Sequence, residues 1–254
     1  MTEANEGAVL TEVDGNVLLI TLNRPRARNA INSAIGQGLL AAVTRLDDEP
    51  ALRVGVLAGN GPTFCAGMDL KEFAATGVPR GLFEFLSRGS TKPLIAAVEG
   101  HVLGGGLELA LTCDLIAAGE DATFGIPEAK VGLLAAGGAL IRLPRRLPPA
   151  VAMELALTGE AISATDAHAH GLVNRVAPQG QALAAARTLA AAISVNAPLS
   201  LIASKAIILE GQERSETEGW ELQRKHVSTV FKSEDAREGA SAFAEKRPPA
   251  WSGR

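Results

Sequence analysis

Residues 94–118 read Leu94-Ile95-Ala96-Ala97-Val98-Glu99-Gly100-His101-Val102-Leu103-Gly104-Gly105-Gly106-Leu107-Glu108-Leu109-Ala110-Leu111-Thr112-Cys113-Asp114-Leu115-Ile116-Ala117-Ala118. The unbroken apolar run 94–98 has the length and residue types of a strand buried on both faces. A Glu-Gly turn and a short link lead to three glycines, which open an apolar helix reaching about Thr112. A second apolar strand, 114–118, follows. Strand, helix and strand in this order form a βαβ unit, whose two strands lie parallel in one sheet.

The same alternation extends upstream. Val17-Leu18-Leu19-Ile20-Thr21-Leu22 reads as a buried strand that Asn23-Arg24-Pro25 ends. Residues 33–46 carry Ile35, Leu39, Leu40, Val43 and Leu46 close to a helical stripe. Val54-Gly55-Val56-Leu57-Ala58 is another strand, followed by the loop Gly59-Asn60-Gly61-Pro62. Downstream of Pro148 the character changes to helix, over about 149–157, 164–169, 180–195, 199–210, 216–231 and 234–246, with Leu172-Val173-Asn174-Arg175-Val176 as the single strand. The alanine-rich run 182–192 reads as a strong helix former. These patterns predict an α/β core over 1–195 and a helical C-terminal region over 196–254.

The chain has 254 residues, 47% of them hydrophobic and 20% charged, which suits a globular α/β protein that needs no staples. A net charge of −4 gives no reason to expect a nucleic-acid or membrane partner. Residues 1–7 lack the apolar core of a secretory signal, and no apolar stretch is long enough to cross a bilayer, so a cytoplasmic protein is expected. Cys65 and Cys113 form no CxxC and read as small buried hydrophobes in a reducing compartment. No cluster of metal-ligating residues appears.

Two glycine-containing segments bear on chemistry: Phe64-Cys65-Ala66-Gly67-Met68-Asp69-Leu70 and Gly104-Gly105-Gly106-Leu107-Glu108-Leu109-Ala110. Each follows a strand and puts small residues where a backbone approaches something closely. Glycines opening a helix leave unpaired N–H groups at its positive end, which favours an anion or a developing oxyanion. Close helix–strand packing would demand the same glycines. Glu108 falls in the first turn of that helix. Glu128 follows Pro127 in Phe124-Gly125-Ile126-Pro127-Glu128, where the proline suits a first helical position. Taken singly, each glutamate is either a charge partner for a helix end or a catalytic acid.

The chain resembles the enoyl-CoA hydratase/isomerase, or crotonase, family. The resemblance runs from Leu22-Asn23-Arg24-Pro25 and Arg28-Asn29-Ala30, through 64–70, 104–110 and 124–128, to Leu157-Thr158-Gly159, Gly171-Leu172-Val173-Asn174, Ser233-Glu234-Asp235-Ala236 and Phe243-Ala244-Glu245-Lys246-Arg247. It implies a spiral of βαβ units with a helical C-terminal region, assembled as a homotrimer or a dimer of trimers. It implies an acyl-CoA thioester substrate, and no cofactor beyond the CoA that belongs to the substrate. The backbone N–H groups of Ala66 and Gly105 are implied as an oxyanion hole. Glu108 is implied as the acid that holds and activates water, and Glu128 as the one exchanging a proton with the α-carbon. Arg26, Arg28, Ala30, Gly67, Met68, Asp69, Leu70 and Lys246 are implied contacts of CoA or substrate, the lysine often from a neighbouring subunit. Hydration of a 2-trans-enoyl-CoA is the first reading. A carnitinyl-CoA-type dehydratase is the second, since the ending Trp251-Ser252-Gly253-Arg254 resembles that branch, although a chain without tyrosine is poorly supplied for an aromatic cage. A non-catalytic acyl-CoA-binding protein is a third.

The run Leu133–Arg142 departs from the family pattern; Leu140 and Ile141 there suggest an apolar wall near the acyl group. Gly36-Gln37-Gly38-Leu39-Leu40-Ala41 matches GxGxxA but does not directly follow a strand, as a dinucleotide site requires. No GxSxG occurs. His168 and His170 do not share a helix face. His101 is expected to be a partly buried, satisfied histidine.

Overall fold

The structure is a computed structural model that describes residues 7–254; apart from Gly7, the N-terminal stretch read above for a signal lies outside them. The elements are β1 (Val9–Asp14), β2 (Val17–Leu22), α1 (Ser33–Asp48), β3 (Val54–Gly59), α2 (Leu70–Thr76), α3 (Leu82–Arg88), β4 (Leu94–Val98), β5 (His101–Leu103), α4 (Gly105–Thr112), β6 (Leu115–Gly119), β7 (Thr123–Gly125), α5 (Ala139–Arg146), α6 (Pro149–Thr158), β8 (Ile162–Ser163), α7 (Ala164–Ala169), β9 (Arg175–Ala177), α8 (Ala182–Ser194), α9 (Pro198–Gly211), α10 (Glu216–Phe231) and α11 (Glu234–Glu245).

The main sheet has six strands in the order β1-β2-β3-β4-β6-β9. All neighbours are parallel except the β1–β2 hairpin. Both faces are covered, which is why its central strands read as continuous apolar runs. In β4, Leu94, Ala96 and Val98 join the larger core with α1, α3 and α4, while Ile95 and Ala97 face the opposite way into a smaller core. That smaller core is closed by α8, whose Ala186 and Ala190 pack on Val54, Val56 and Ala117. A second sheet, β5-β7-β8, stands beyond the C-terminal ends of β3 and β4.

The hairpin, the second sheet, and α2, α3 and α5 are absent from the periodicity reading. β1 escapes it because four of its six residues are exposed. The strand expected at 172–176 is β9, shifted to Arg175–Ala177. Residues 172 and 173 instead donate to Ala167 O and close α7, and Asn174 ties to Ile116 through both its side chain and its backbone N–H. The glycines of the GxGxxA match lie inside α1. A Cβ on Gly36 would stand 2.3 Å from Arg80 O and one on Gly38 2.8 Å from the Val9 side chain, so both serve helix packing. Both cysteines are fully buried and unpaired, and burial pushes each thiol up to about 12. No single helix among the described residues is long and apolar enough to cross a membrane.

Candidate active site

Four segments converge beyond the C-terminal ends of β2, β3 and β4, where open α/β sheets hold their ligands. Backbone bonds lace them together. Ala66 N–H donates to Arg28 O at 3.0 Å, Ile31 N–H to Gly67 O at 2.8 Å, Leu103 N–H to Cys65 O at 3.1 Å and Gly104 N–H to Gly125 O at 2.9 Å. Arg28 and Asn29 both adopt positive φ, 50° and 54°. Asn29 is wholly buried: its Oδ1 accepts from Arg24 N–H, and its Nδ2 donates to the carbonyls of Asn60, Thr63 and Phe64. One amide side chain thus pins the 24–31 loop to the segment that precedes Ala66.

The first of these bonds changes the expected oxyanion hole. Ala66 N–H is engaged by Arg28 O and cannot face a substrate carbonyl. Two residues on, Ile31 pairs with Met68 as an isolated parallel bridge, donating to Gly67 O and accepting from Asp69 N–H. In such a bridge the N–H of Met68 points away from Ile31, and it has no acceptor among the described residues. Gly105, the first residue of α4, also has an N–H without an acceptor there, as helix N-termini do. Met68 N lies 3.7 Å from where a Cβ on Gly105 would be, and Gly105 N lies 3.7 Å from where one on Gly67 would be. The two free donors therefore border one gap, and Met68 replaces Ala66 as the partner of Gly105. Gly67 makes the approach possible: its φ is 103°, and a Cβ there would crowd Leu103 O at 3.1 Å.

Glu108, in the first turn of α4, is 5% exposed. Its Oε1 accepts from Ala139 N–H at 3.2 Å, and its Oε2 lies 2.3 Å from where a Cβ on Gly137 would be. Burial raises its pKa, and the charge of Glu128 adds to the rise; the N–H groups of Ala139 and Gly137, together with Arg142, oppose it. Glu128, beside Pro127 at the start of a 3-10 turn over Pro127–Val131, is raised by burial with only its own backbone N–H in opposition. Its Oε2 is buried without a hydrogen-bond partner. Its Oε1 lies 3.0 Å from where a Cβ on Gly104 would be. The two carboxyl groups thus sit in one site, on either side of the turn that supplies Gly105 N–H.

The expected CoA contacts fall in three groups. Arg26 and Arg28 are exposed beside the site, and neither side chain has a hydrogen-bond partner among the described residues. Ala30 and Gly67 take part through their backbones, Ala30 O accepting from Arg24, and Met68 and Leu70 flank the gap, with Leu70 exposed. The Asp69 carboxylate is already engaged: it accepts from Arg24 at 3.1 Å and caps α2 through Glu72 N–H. Desolvation works against its charge, but those partners outweigh it and hold its carboxyl below the usual range. Lys246 follows α11 with φ 55°, exposed, and among the described residues no hydrogen bond or ion pair links it to the other segments. The tail after it is anchored by Trp251 to Val195 O and to Arg53, which precedes β3 at the other end of the sheet. Leu140 and Ile141 are exposed, and the residues of that run that meet Glu108 are Gly137 and Ala139. His101 is exposed, its Nδ1 3.2 Å from Thr123 Oγ1, and not the partly buried histidine expected. Arg24, Asn29, Gly137 and Arg142 were not singled out by sequence reasoning. Asn29 had a usable signal, an asparagine where a loop needs the left-handed conformation.

Comparison with known proteins places this architecture. A crystal structure of enoyl-CoA hydratase from Mycobacterium tuberculosis H37Rv superposes with a TM-score of 0.94 at 51% identity, covering 98% of this chain and 100% of that one. One of enoyl-CoA hydratase EchA1 from Mycobacterium marinum gives 0.93 at 51%, covering 98% and 100%. The fold is therefore the crotonase fold. The family description "Enoyl-CoA hydratase/isomerase" matches residues 12–254, and the chain belongs to that family. Among curated relatives it is 44% identical to enoyl-CoA hydratase EchA19 of Mycobacterium tuberculosis, over 94% of each chain. It is 42% identical to carnitinyl-CoA dehydratase of Salmonella typhi, over 95% of this chain and 97% of that one.

Proposed function

We propose that the protein is an enoyl-CoA hydratase, which reversibly adds water across a 2-trans-enoyl-CoA thioester to give a 3-hydroxyacyl-CoA. The observation that carries this reading is the placement of two glutamates, Glu108 buried and Glu128 partly buried, unlike in their hydrogen bonding, around a gap bordered by two free backbone donors. The Met68 and Gly105 N–H groups receive the thioester oxygen, which gathers charge as water attacks the β-carbon. Glu108, with two N–H groups and Arg142 favouring its charged form, takes a proton from the water. Glu128, whose buried Oε2 has no partner to favour a charge, keeps its proton until it gives it to the α-carbon. Transfer of the proton from Glu108 to Glu128 closes the cycle, so one water is consumed and each carboxyl group is restored. No electron changes hands, and no further cofactor is required.

Arg26 and Arg28 supply free guanidinium groups for the CoA phosphates. Lys246 reaches such a phosphate from a neighbouring subunit in an assembly of three chains or two sets of three. Exposed Trp220, Phe231 and Phe243 on α10 and α11 suit self-association. The test of the function is a spectrophotometric screen of enoyl-CoA thioesters of varied chain length that includes crotonobetainyl-CoA. Turnover of straight-chain enoyl-CoA supports the hydratase. Preference for crotonobetainyl-CoA supports the dehydratase reading that the Salmonella relative brings forward. Glu128→Gln is expected to keep CoA-thioester binding and lose most hydration; equal turnover by both proteins refutes the role.

A further inference from the structure

A cavity of about 620 Å³ lies between the ends of α3 and α4 and the helices α5 and α9. It adjoins Thr112 at the C-terminal end of α4, whereas the candidate active site adjoins Gly105 at the other end. Pro93, Leu111, Leu115 and Ile208 contribute apolar wall. Five cations and a single carboxylate, that of Asp114, complete it. Three of the cations have acidic partners: Arg88 with Asp47 at 3.0 Å, Arg145 with Glu213 at 2.5 Å and Lys205 with Asp114 at 2.7 Å.

Arg142 and Arg146 remain, one turn apart on α5, and neither forms an ion pair among the described residues. Arg142 donates to Leu86 O, Gly137 O and Thr112 Oγ1. Arg146 is seen to use only one donor, to Cys113 O at 2.7 Å. A guanidinium has five N–H donors and stays charged in proteins, so these few acceptors leave part of the hydrogen-bonding capacity of Arg146 in particular unused. Burial opposes both charges, and the nearness of Arg146 adds to the cost at Arg142; Glu108 offsets part of it at Arg142 and Asp114 part of it at Arg146. Both guanidinium groups are only partly exposed and line the cavity, so an anion held there offsets their mutual repulsion. The cavity is within the roughly 300–1,000 Å³ typical of small-molecule sites and is too large to be filled by a bare inorganic ion.

We propose that this cavity is a second ligand site, for a small amphiphilic organic anion whose acidic head meets Arg142 and Arg146 and whose apolar body lies against Leu111, Leu115 and Ile208. Arg142 also favours the charged form of Glu108, so the site is tested at Arg146 and Ile208, which have no part in the proposed hydration chemistry.

Calorimetric titration of the whole protein with octanoate tests it, with n-octanol and inorganic phosphate as control probes. Octanoate is expected to bind saturably, phosphate at least tenfold more weakly, and octanol not at all. Arg146→Met is expected to lower octanoate affinity at least tenfold. Ile208→Glu, at a position 64% exposed and so safe for folding, is expected to do the same by placing a carboxylate at the cavity mouth. Octanoate binding that survives both substitutions belongs to another part of the molecule and overturns the proposal, as does equal binding of octanol. Absence of octanoate binding overturns it too. If in that case Arg146→Met also dissociates the protein in sedimentation, the arginines answer a carboxylate of another copy.

Discussion

Glu128 rests against Gly104: a carbon built as Cβ on Gly104 would stand 3.0 Å from Oε1 of Glu128 and 3.4 Å from its Cδ. Gly104 has φ 54° and ψ −124°, a conformation that residues with a side chain avoid. It also directs the next N–H, that of Gly105, towards the gap. One glycine therefore positions a carboxyl group and a backbone donor together. Gly104→Ala is expected to disturb both, lowering kcat for enoyl-CoA hydration by about 10² or more, since loss of one such donor alone costs that much. A measured kcat within threefold of the parent would remove Gly104 from the machinery.

The reassignment of the oxyanion donor from Ala66 to Met68 has its own test. Replacing a single residue by its α-hydroxy acid exchanges the backbone N–H for an ester oxygen and leaves the side chain unchanged. At Met68 this is expected to reduce kcat about 10²–10³-fold. At Ala66 it breaks the bond to Arg28 O, costing about 0.5–1.5 kcal/mol of stability, with a smaller effect on turnover. The opposite ranking would restore Ala66.

The difference between these two neighbours shows what was legible beforehand. The FCAGMDL and GGGLELA segments can be read as backbone approaching something closely, because glycine's freedom is a local property. Which N–H in the first segment is free depends on where Arg28 and Ile31 dock, and that is set by Asn29, a residue 30 or more positions away in sequence from the carbonyls of Asn60, Thr63 and Phe64 that it holds. The strands and long helices follow from periodicity, since β4 and β6 are buried on both faces and α10 carries its own capping box. The second sheet does not follow, because β5 and β7 have three residues each and β8 two. Glu108 and Glu128 are visible as acids in apolar surroundings. That Glu108 is held by Ala139 and Gly137, and Glu128 by nothing beyond its own turn, required the folded chain.

That inequality sets the expected pH profile. Burial raises both carboxyl groups above the ordinary glutamic acid value, and the charge of Glu128 raises Glu108 further. Hydration needs one proton on the pair. Activity should fall at low pH, where Glu108 also becomes protonated, and fall again as pH rises through the raised upper value, where Glu128 loses its proton. The kcat/KM profile is expected to be a bell whose alkaline limb lies clearly above pH 4.5. In Glu108→Gln the acid limb should disappear from the residual activity. An acid limb unchanged by that substitution would assign it to another group.

The same burial predicts that Glu128→Gln gains stability where it loses activity. In the unfolded chain Glu128 has an ordinary pKa, and in the folded chain a raised one. The folded state therefore binds the proton more tightly. Its contribution is fully present below the unfolded value and is lost as pH rises through the folded value. Above that point the parent protein holds a partly buried carboxylate whose Oε2 is buried without a partner, whereas glutamine occupies the same space uncharged. Thermal unfolding at pH 8 should show Glu128→Gln melting above the parent, by roughly 2–4 °C for each kcal/mol of relief in a chain of this size. The gap should close towards pH 4, where both proteins are neutral at this position. A variant that melts below the parent at pH 8 would mean that a favourable contact to the charged carboxylate exists, and the view of Glu128 as the acid that keeps its proton would fail with it.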